Sequence, residues 1–382
     1  MNPSHKIIMK IIYLADIRLP TEKAHGFQVM KTCTALASEG NTVTLMIPSW
    51  NATDEAGIFK YYGIEKNFSI EKVPQTKINL IKLGSVGFAL RSYFFARKIL
   101  GILAVRQFDV AYSRDEAVFS RISSLKQKAF YEMHDVRKSR NQAEALRSSA
   151  GIIAISKGLK DYCISQGIDE SKIIIAPDAV DADEFKVKES REEAREKLGL
   201  PRTKKIVLYS GHLYSWKGAD VLAEAARELG NDTLTVFVGG TPWDIDAFKK
   251  KYGNDEKIMI VGQKPHSEIP LYLKAADVLA LPNSAKEDIS RLYTSPIKLF
   301  EYMASGTPIV ASDLPSIREI LDEKAAIFAR PDDADSLAKA IKYSLENISK
   351  AVILSNRALE EVKKYSWKER AKSIEGFMKG HI

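Results

Sequence analysis

Three stretches hold the residues whose types and spacing suit chemistry. In 294–313, TSPIKLFEYMASGTPIVASD, Ser295-Pro296 reads as a helix start, an N-cap followed by proline at the first helical position. Lys298 then falls in the first turn and Glu301 one turn later, and Gly306 ends the helix before the apolar run of Thr307 to Ala311. The first N–H groups of a helix lack partners within it and face anions, so a lysine among them builds an anion site. Glu301 lies too deep for a capping box, whose acid sits three after the cap. In 205–229, Lys217-Gly218 precedes a second helix, so an ammonium and another set of free N–H groups converge, and a diphosphate carries the matching charge. Gly211 permits a tight turn in the same loop, and His212 beside it is cationic only in part near neutral pH. The third stretch, AFYEMHD (129–135), puts Glu132, His134 and Asp135 at the carboxyl end of a strand, where His134 is well placed for chemistry.

These residues need strand-to-helix connections to carry them. IIMKIIYLA (7–15) reads as a central strand, followed by a loop through Asp16, Arg18, Pro20, Lys23 and His25, a helix from Gly26 to Ser38 with Gly40 as its stop, and the strand NTVTLMIPS. Strand–helix–strand alternation marks a parallel α/β sheet, whose ligands lie beyond the carboxyl ends of the strands. His25 and Gly26 therefore face a binding region. FDVAYSR, AFYEMHD and AGIIAISK continue the first half; KIVLYS, TLTVFVGG, KIMIVGQ and DVLALPN build a second, with Gly262 and Gln263 just past a strand end. GxGxxG is absent, which counts against a simple dinucleotide-binding domain. With 382 residues two domains are expected. The expected bounds are 1–185, 186–365 and a terminal helical segment 366–382.

Composition sets limits. Hydrophobic content of 45% and charged content of 28% suit a globular protein. Cys33 and Cys163 are far apart and lack CxxC partners, so neither a disulfide framework nor a zinc site is expected. Asp181-Ala182-Asp183 and Asp244-x-Asp246 spell a metal-binding DxD, but in polar connections rather than at strand ends, and no metal is expected. The net charge is +8, and residues 60–106 hold nine Lys/Arg against Glu65 and Glu71. No nucleic-acid module accompanies this patch, so nucleic acid is not an expected partner. Within 84–107 a long helical pattern brings Arg91, Lys98 and Arg106 onto one face, a solvated stripe or a contact for an anionic membrane surface. The short apolar start runs straight into polar sequence, unlike a signal peptide, and there is no spanning run, so the expected location is cytoplasmic, including the cytoplasmic membrane face.

The motif at 294–313 resembles the signature of the family 4 retaining glycosyltransferases, within glycosyl transferases group 1. That family sets two glutamates eight positions apart; Glu301 matches the second, and Tyr293 stands at the first. The run from Gly211 to Lys217-Gly218 is similar to the family's Gly-Arg-Leu…Lys-Gly motif, with His212 at the arginine. Pro177-Asp178-Ala179-Val180-Asp181 resembles its interdomain Pro-Asn-Gly-Val-Asp. The resemblance spans most of 170–320. It implies an α/β GT-B fold, two Rossmann-like domains facing each other across a cleft, and a terminal helix that crosses back to the first. It implies a nucleoside-diphosphate sugar as donor co-substrate, no other cofactor, and transfer to an unknown acceptor with retention. His134, Lys217 and Glu301 would carry the transfer. His212, Lys217, Lys298, Ser295 and Pro296 would hold the diphosphate; Glu301, Gly262 and Gln263 the ribose and base; Gly26, His25, Asp288 and Tyr293 the sugar or acceptor. The basic, aromatic-rich helix favours a lipid-linked or cell-envelope acceptor. A 2-epimerase-like GT-B enzyme, a nucleotide-dependent oxidoreductase and a silent nucleotide-sugar binder are the alternatives.

Overall fold

The computed structural model describes residues 8–49, 53–74, 84–122, 125 and 127–382. Lys77 and Lys82 of the basic region lie outside them. The chain divides into two compact units, Met1–Pro177 with Trp367–Ile382, and Asp178–Ser366.

The first unit runs β1 (Lys10–Leu14), α1 (Ala24–Ser38), β2 (Thr42–Pro48), α2 (Glu55–Tyr62), β3 (Ser69–Val73) and α3 (Gly84–Leu103). It continues with β4 (Val110–Ser113), α4 (Glu116–Ile122), β5 (Lys128–Met133), α5 (Arg140–Ser148), β6 (Gly151–Ala154), α6 (Lys157–Ser165) and β7 (Ile173–Ile175). The second unit holds α7 (Arg191–Leu198), β8 (Lys205–Ser210), α8 (Ala219–Arg227), β9 (Thr233–Val238), α9 (Pro242–Tyr252), β10 (Ile258–Gly262) and α10 (Ile269–Ala275). After these come β11 (Val278–Leu281), α11 (Ile297–Ser305), β12 (Ile309–Ser312), the short α12 (Pro315–Arg318), β13 (Ile327–Ala329), α13 (Ala334–Glu346) and α14 (Ile348–Glu361). The terminal α15 (Trp367–Lys379) belongs to the first unit.

Every strand pairing is parallel, in the order β3-β2-β1-β4-β5-β6-β7 and β10-β9-β8-β11-β12-β13. Both sheets are Rossmann-like, α/β with the order reversing beside the first strand of each unit. Strands such as TLTVFV are buried along their whole length because helices cover both faces, which explains their unbroken apolar sequence. The reversal places the loops after β8 and β11 side by side, the position at which such sheets bind ligands.

Two expectations change. The division between units falls after Pro177, not at 185, because Val180 and Phe185 are buried in the core of the second unit with Leu208, Leu299 and Phe300. The basic stripe on α3 is not simply solvated. Arg106 lies beyond the helix end and pairs with Glu71 at 2.5 Å, and Lys98 donates to the Pro74 carbonyl at 2.5 Å. What α3 exposes instead is Val86, Leu90 and Tyr93, while Phe95, Ile99 and Leu103 are buried.

α15 packs through Phe377, whose ring stands edge-on to Phe130 with centroids 6.0 Å apart. Gly151 makes this possible, since a Cβ there would lie 2.5 Å from the Phe377 ring.

Candidate functional site

The second unit gathers its cations at the loops after β8 and β11. Gly218 adopts φ +73°, and a Cβ on it would sit 1.8 Å from the Pro282 carbonyl oxygen, so only glycine lets the two loops touch. Ser284 N–H donates to the Trp216 carbonyl at 3.1 Å and closes the contact. Lys217 ends a short 3-10 turn, its ammonium 3.8 Å above the Trp216 ring centroid. Burial pushes its pKa down to about 8, with Asp178 opposing.

Lys298 is in the first turn of α11 and only 8% exposed. Its Nζ lies 3.9 Å over the Tyr209 ring centroid, yet among the described residues it has no hydrogen-bond partner. Burial, and then the neighbouring Lys217, hold its pKa well below the usual lysine range against the pull of Glu301. The two lysines thus repel each other, and among the described residues no carboxylate is bonded to either, an arrangement that costs free energy until an anion arrives.

Glu301 follows one turn later, 7% exposed, and accepts from His266 Nε2 at 2.8 Å. The His266 ring stands edge-on to Phe185, centroids 6.4 Å apart. Sequence reasoning missed His266. The available signal was a histidine three residues past Gln263, in the loop already singled out. Gly262 is buried and its carbonyl accepts from Gly239 N–H at 2.7 Å, whereas Gln263 is exposed. His212 is half-buried and stacks on Tyr214, centroids 5.0 Å apart.

Ser295 and Pro296 are corrected. Pro296, not Ser295, occupies the N-cap position of α11, with φ −76° and ψ 120°, and no side chain caps the helix. The Ser295 hydroxyl instead accepts from Asp178 N–H at 2.9 Å, and Pro296 has no N–H to offer a phosphate. Asp288 is exposed and paired with Arg291 at 2.6 Å. Tyr293 closes a π-turn, Ile289–Tyr293, and is half-buried. Asp244 serves as the capping-box acid of α9, bonded to Thr241, and Asp183 lies in a 3-10 turn.

In the first unit His25 and Gly26 lie at the start of α1. Burial, then Arg114 and Lys23, push the His25 pKa down to about 4. A Cβ on Gly26 would come within 2.4 Å of Thr21 and Tyr62. His134 follows β5, with its side chain 16% exposed, and its Nε2 is 2.6 Å from Glu132 Oε1. Glu132 is fully buried and also takes hydrogen bonds from Gln28, Tyr112 and Arg370. Burial alone would raise its pKa, but Arg370, His134 and Tyr112 together outweigh that and keep it a carboxylate far below the usual range.

Residues 190–361 match the family model for glycosyl transferases group 1. That stretch takes in most of the second unit, Asp178–Ser366. Among curated relatives, a Bacillus subtilis (strain 168) protein named as a teichuronic acid biosynthesis glycosyltransferase, TuaC, is 28% identical over 209 residues, 54% of this chain and 50% of that protein. A D-inositol 3-phosphate glycosyltransferase of Corynebacterium aurimucosum is 24% identical over 248 residues, 61% of this chain and 57% of that one. The chain therefore spans about half the length of the curated relatives it matches. Solved structures share the GT-B fold over nearly the whole chain. Anabaena Alr3699/HepE in complex with UDP superposes with a TM-score of 0.76 at 16% identity, covering 97% of this chain and 100% of that one. Sucrose-phosphate synthase from Thermosynechococcus elongatus gives 0.78 at 18% identity, covering 97% and 98%.

Proposed function

We propose that this protein is a retaining glycosyltransferase that moves a sugar from a nucleoside-diphosphate sugar to an acceptor. The observation that carries the proposal is the buried Lys298 ammonium, lacking a hydrogen-bond partner among the described residues and set against Lys217. A diphosphate resolves both problems at once, since it supplies acceptor oxygens and neutralises two crowded cations. Glu301, held by His266, accepts from the ribose hydroxyls, and the loop from Gly262 to His266 lies at the base. The sugar–phosphate bond breaks as the acceptor oxygen bonds to the same face of the anomeric carbon. The negative charge developing on the departing diphosphate falls on Lys217 and Lys298, so no metal is needed. Ser295 and Pro296 act by shaping the start of α11, and Tyr293 with the Asp288 loop faces the donor sugar. His134, His25 and Gly26 serve the sugar and acceptor from the first unit.

A cell-envelope or lipid-linked acceptor is supported by the exposed Val86, Leu90 and Tyr93 of α3 beside Arg97, a surface suited to anionic lipid on the cytoplasmic face. Among the described residues no helix is long and apolar enough to cross a membrane. The test is release of nucleoside diphosphate from a panel of sugar nucleotides, with the anomeric configuration of the product read by NMR. Inverted product overturns retention, and no release from any donor overturns the activity. Sedimentation with anionic vesicles tests the surface, and binding unchanged in a Leu90→Ser, Tyr93→Ser variant counts against it.

A further inference from the structure

The terminal helix sends one side chain into the centre of the first unit. The Arg370 guanidinium makes three directed bonds there, to Glu132 Oε1 at 2.9 Å, to Thr32 Oγ1 at 3.2 Å and to the Pro177 carbonyl at 3.0 Å. Its side chain is 3% exposed and that of Glu132 is 0% exposed. A buried ion pair of this kind contributes little stability beyond what an apolar pair would, because desolvating both charges offsets their attraction. Its geometry points to a different role.

Around Glu132 the direction of every hydrogen bond is fixed by chemistry. Arg114 donates to Gln28 Oε1 at 2.9 Å, which turns the Gln28 amide N–H toward Glu132 Oε1 at 2.5 Å. Arg370 and the Tyr112 hydroxyl also donate. A carboxylate has only acceptors, so its remaining neighbour, His134 Nε2 at 2.6 Å, must be the donor. The imidazole is then the Nε2–H form, and the nitrogen left over, Nδ1, carries a lone pair. Among the described residues the ring's hydrogen bond is made through Nε2 and none through Nδ1, and the side chain is 16% exposed.

We propose that Glu132 and Arg370 are positioning residues. Acting through Glu132, the terminal helix fixes His134 in one tautomer and one ring orientation, presenting Nδ1 as a neutral acceptor for a hydroxyl of the sugar substrate. This rests on the placement of His134 at the sugar given above. It assigns α15 a part in substrate recognition, and it specifies the recognised group as an O–H donor at that point of the sugar. Such a fixed partner is what orients a histidine that works by its other nitrogen.

The test uses the full chain labelled with ¹⁵N-histidine. The protein has six histidines, and His134→Gln assigns the signal. Long-range ¹H–¹⁵N spectra at pH 7 should show His134 wholly as the Nε2–H tautomer. Glu132→Gln should convert it to a mixture or to Nδ1–H, and Arg370→Lys should give a smaller change in the same direction. Circular dichroism confirms that each variant is folded; if Glu132→Gln is not, Tyr112→Phe and Arg370→Lys supply the series. We expect kcat/KM for the nucleotide sugar to fall about tenfold in Glu132→Gln and by less in Arg370→Lys. An Nδ1–H or charged His134 in the unmodified protein, or a tautomer indifferent to Glu132 and Arg370, overturns the proposal. A lost tautomer with unchanged transfer leaves the positioning intact and overturns the placement of His134 at the sugar.

Discussion

Replacing Lys298 with methionine separates a binding cation from a structural one. Methionine keeps the unbranched stem and places a polarisable sulfur near the Tyr209 ring, over which Nζ lies 3.9 Å from the centroid. The charge and the terminal N–H donors are lost. Folding lowers the Lys298 pKa well below its ordinary value, chiefly by burial, so the native state binds fewer protons than the unfolded chain. The sign follows: below the unfolded lysine pKa of about 10.4, the group opposes folding, and removing it at pH 7 relieves that opposition. The ligand-free variant should therefore melt at the same temperature as the parent or higher. Affinity should move the other way. A charge-assisted hydrogen bond to phosphate is worth about 1.5–3 kcal/mol, or roughly ten- to hundredfold in Kd. Charge that develops on the leaving group adds a barrier of ~3 kcal/mol, about a hundredfold in kcat. Calorimetric melting of the free protein, titration with UDP, GDP and ADP, and turnover of the matching donor give the three numbers. A variant that melts several degrees lower yet binds and turns over normally would refute the reasoning.

Diphosphate affinity should depend on pH. A bound anion raises the pKa of Lys217 above its free value of about 8, so binding is full below that pH and weakens above it, by up to tenfold per pH unit per lysine. Calorimetry from pH 7 to 9.5 in buffers of different ionisation enthalpy should register proton uptake, and a flat profile without uptake would count against the two-lysine site. His266→Ala should weaken donor binding about tenfold and erase the preference for a ribo- over a 2′-deoxyribonucleotide, since buried Glu301 loses its bond at 2.8 Å. A preference that survives separates His266 from the ribose. Gly218→Ala should destabilise the fold by about 1–3 kcal/mol in urea and lower diphosphate affinity, because its Cβ would meet the Pro282 carbonyl at 1.8 Å with φ +73°. Parental stability and affinity together would show that the loops need not touch.

The sequence displayed some of this plainly and hid the rest for physical reasons. The two sheets were readable because parallel strands buried on both faces must be continuously apolar, as KIVLYS and TLTVFV are. Lys217 and Lys298 were readable because each adjoins a helix start, a local feature. Ser295 was misassigned through a competitor distant in sequence: the Asp178 N–H takes its hydroxyl, and Pro296 fills the N-cap position with an extended backbone. The pairing of His266 with Glu301 spans 35 residues, and that of Glu132 with Arg370 spans 238. Neither leaves a periodicity or a spacing to find. In the sequence Arg370 is one cation in a charged terminal helix, and the docking of that helix, with Phe377 against Gly151, brings it to Glu132.

The central claim is that a nucleoside diphosphate occupies the point where Lys217 and Lys298 meet. It is tested most directly by ligand-induced thermal stabilisation with UDP, GDP, ADP and NAD, run in parallel on the parent and on Lys298→Met. At a ligand concentration of about 100 Kd, one nucleoside diphosphate should stabilise the parent by about 2.7 kcal/mol and the variant by far less. Stabilisation by NAD alone, or an equal response of parent and variant to the diphosphates, would contradict it.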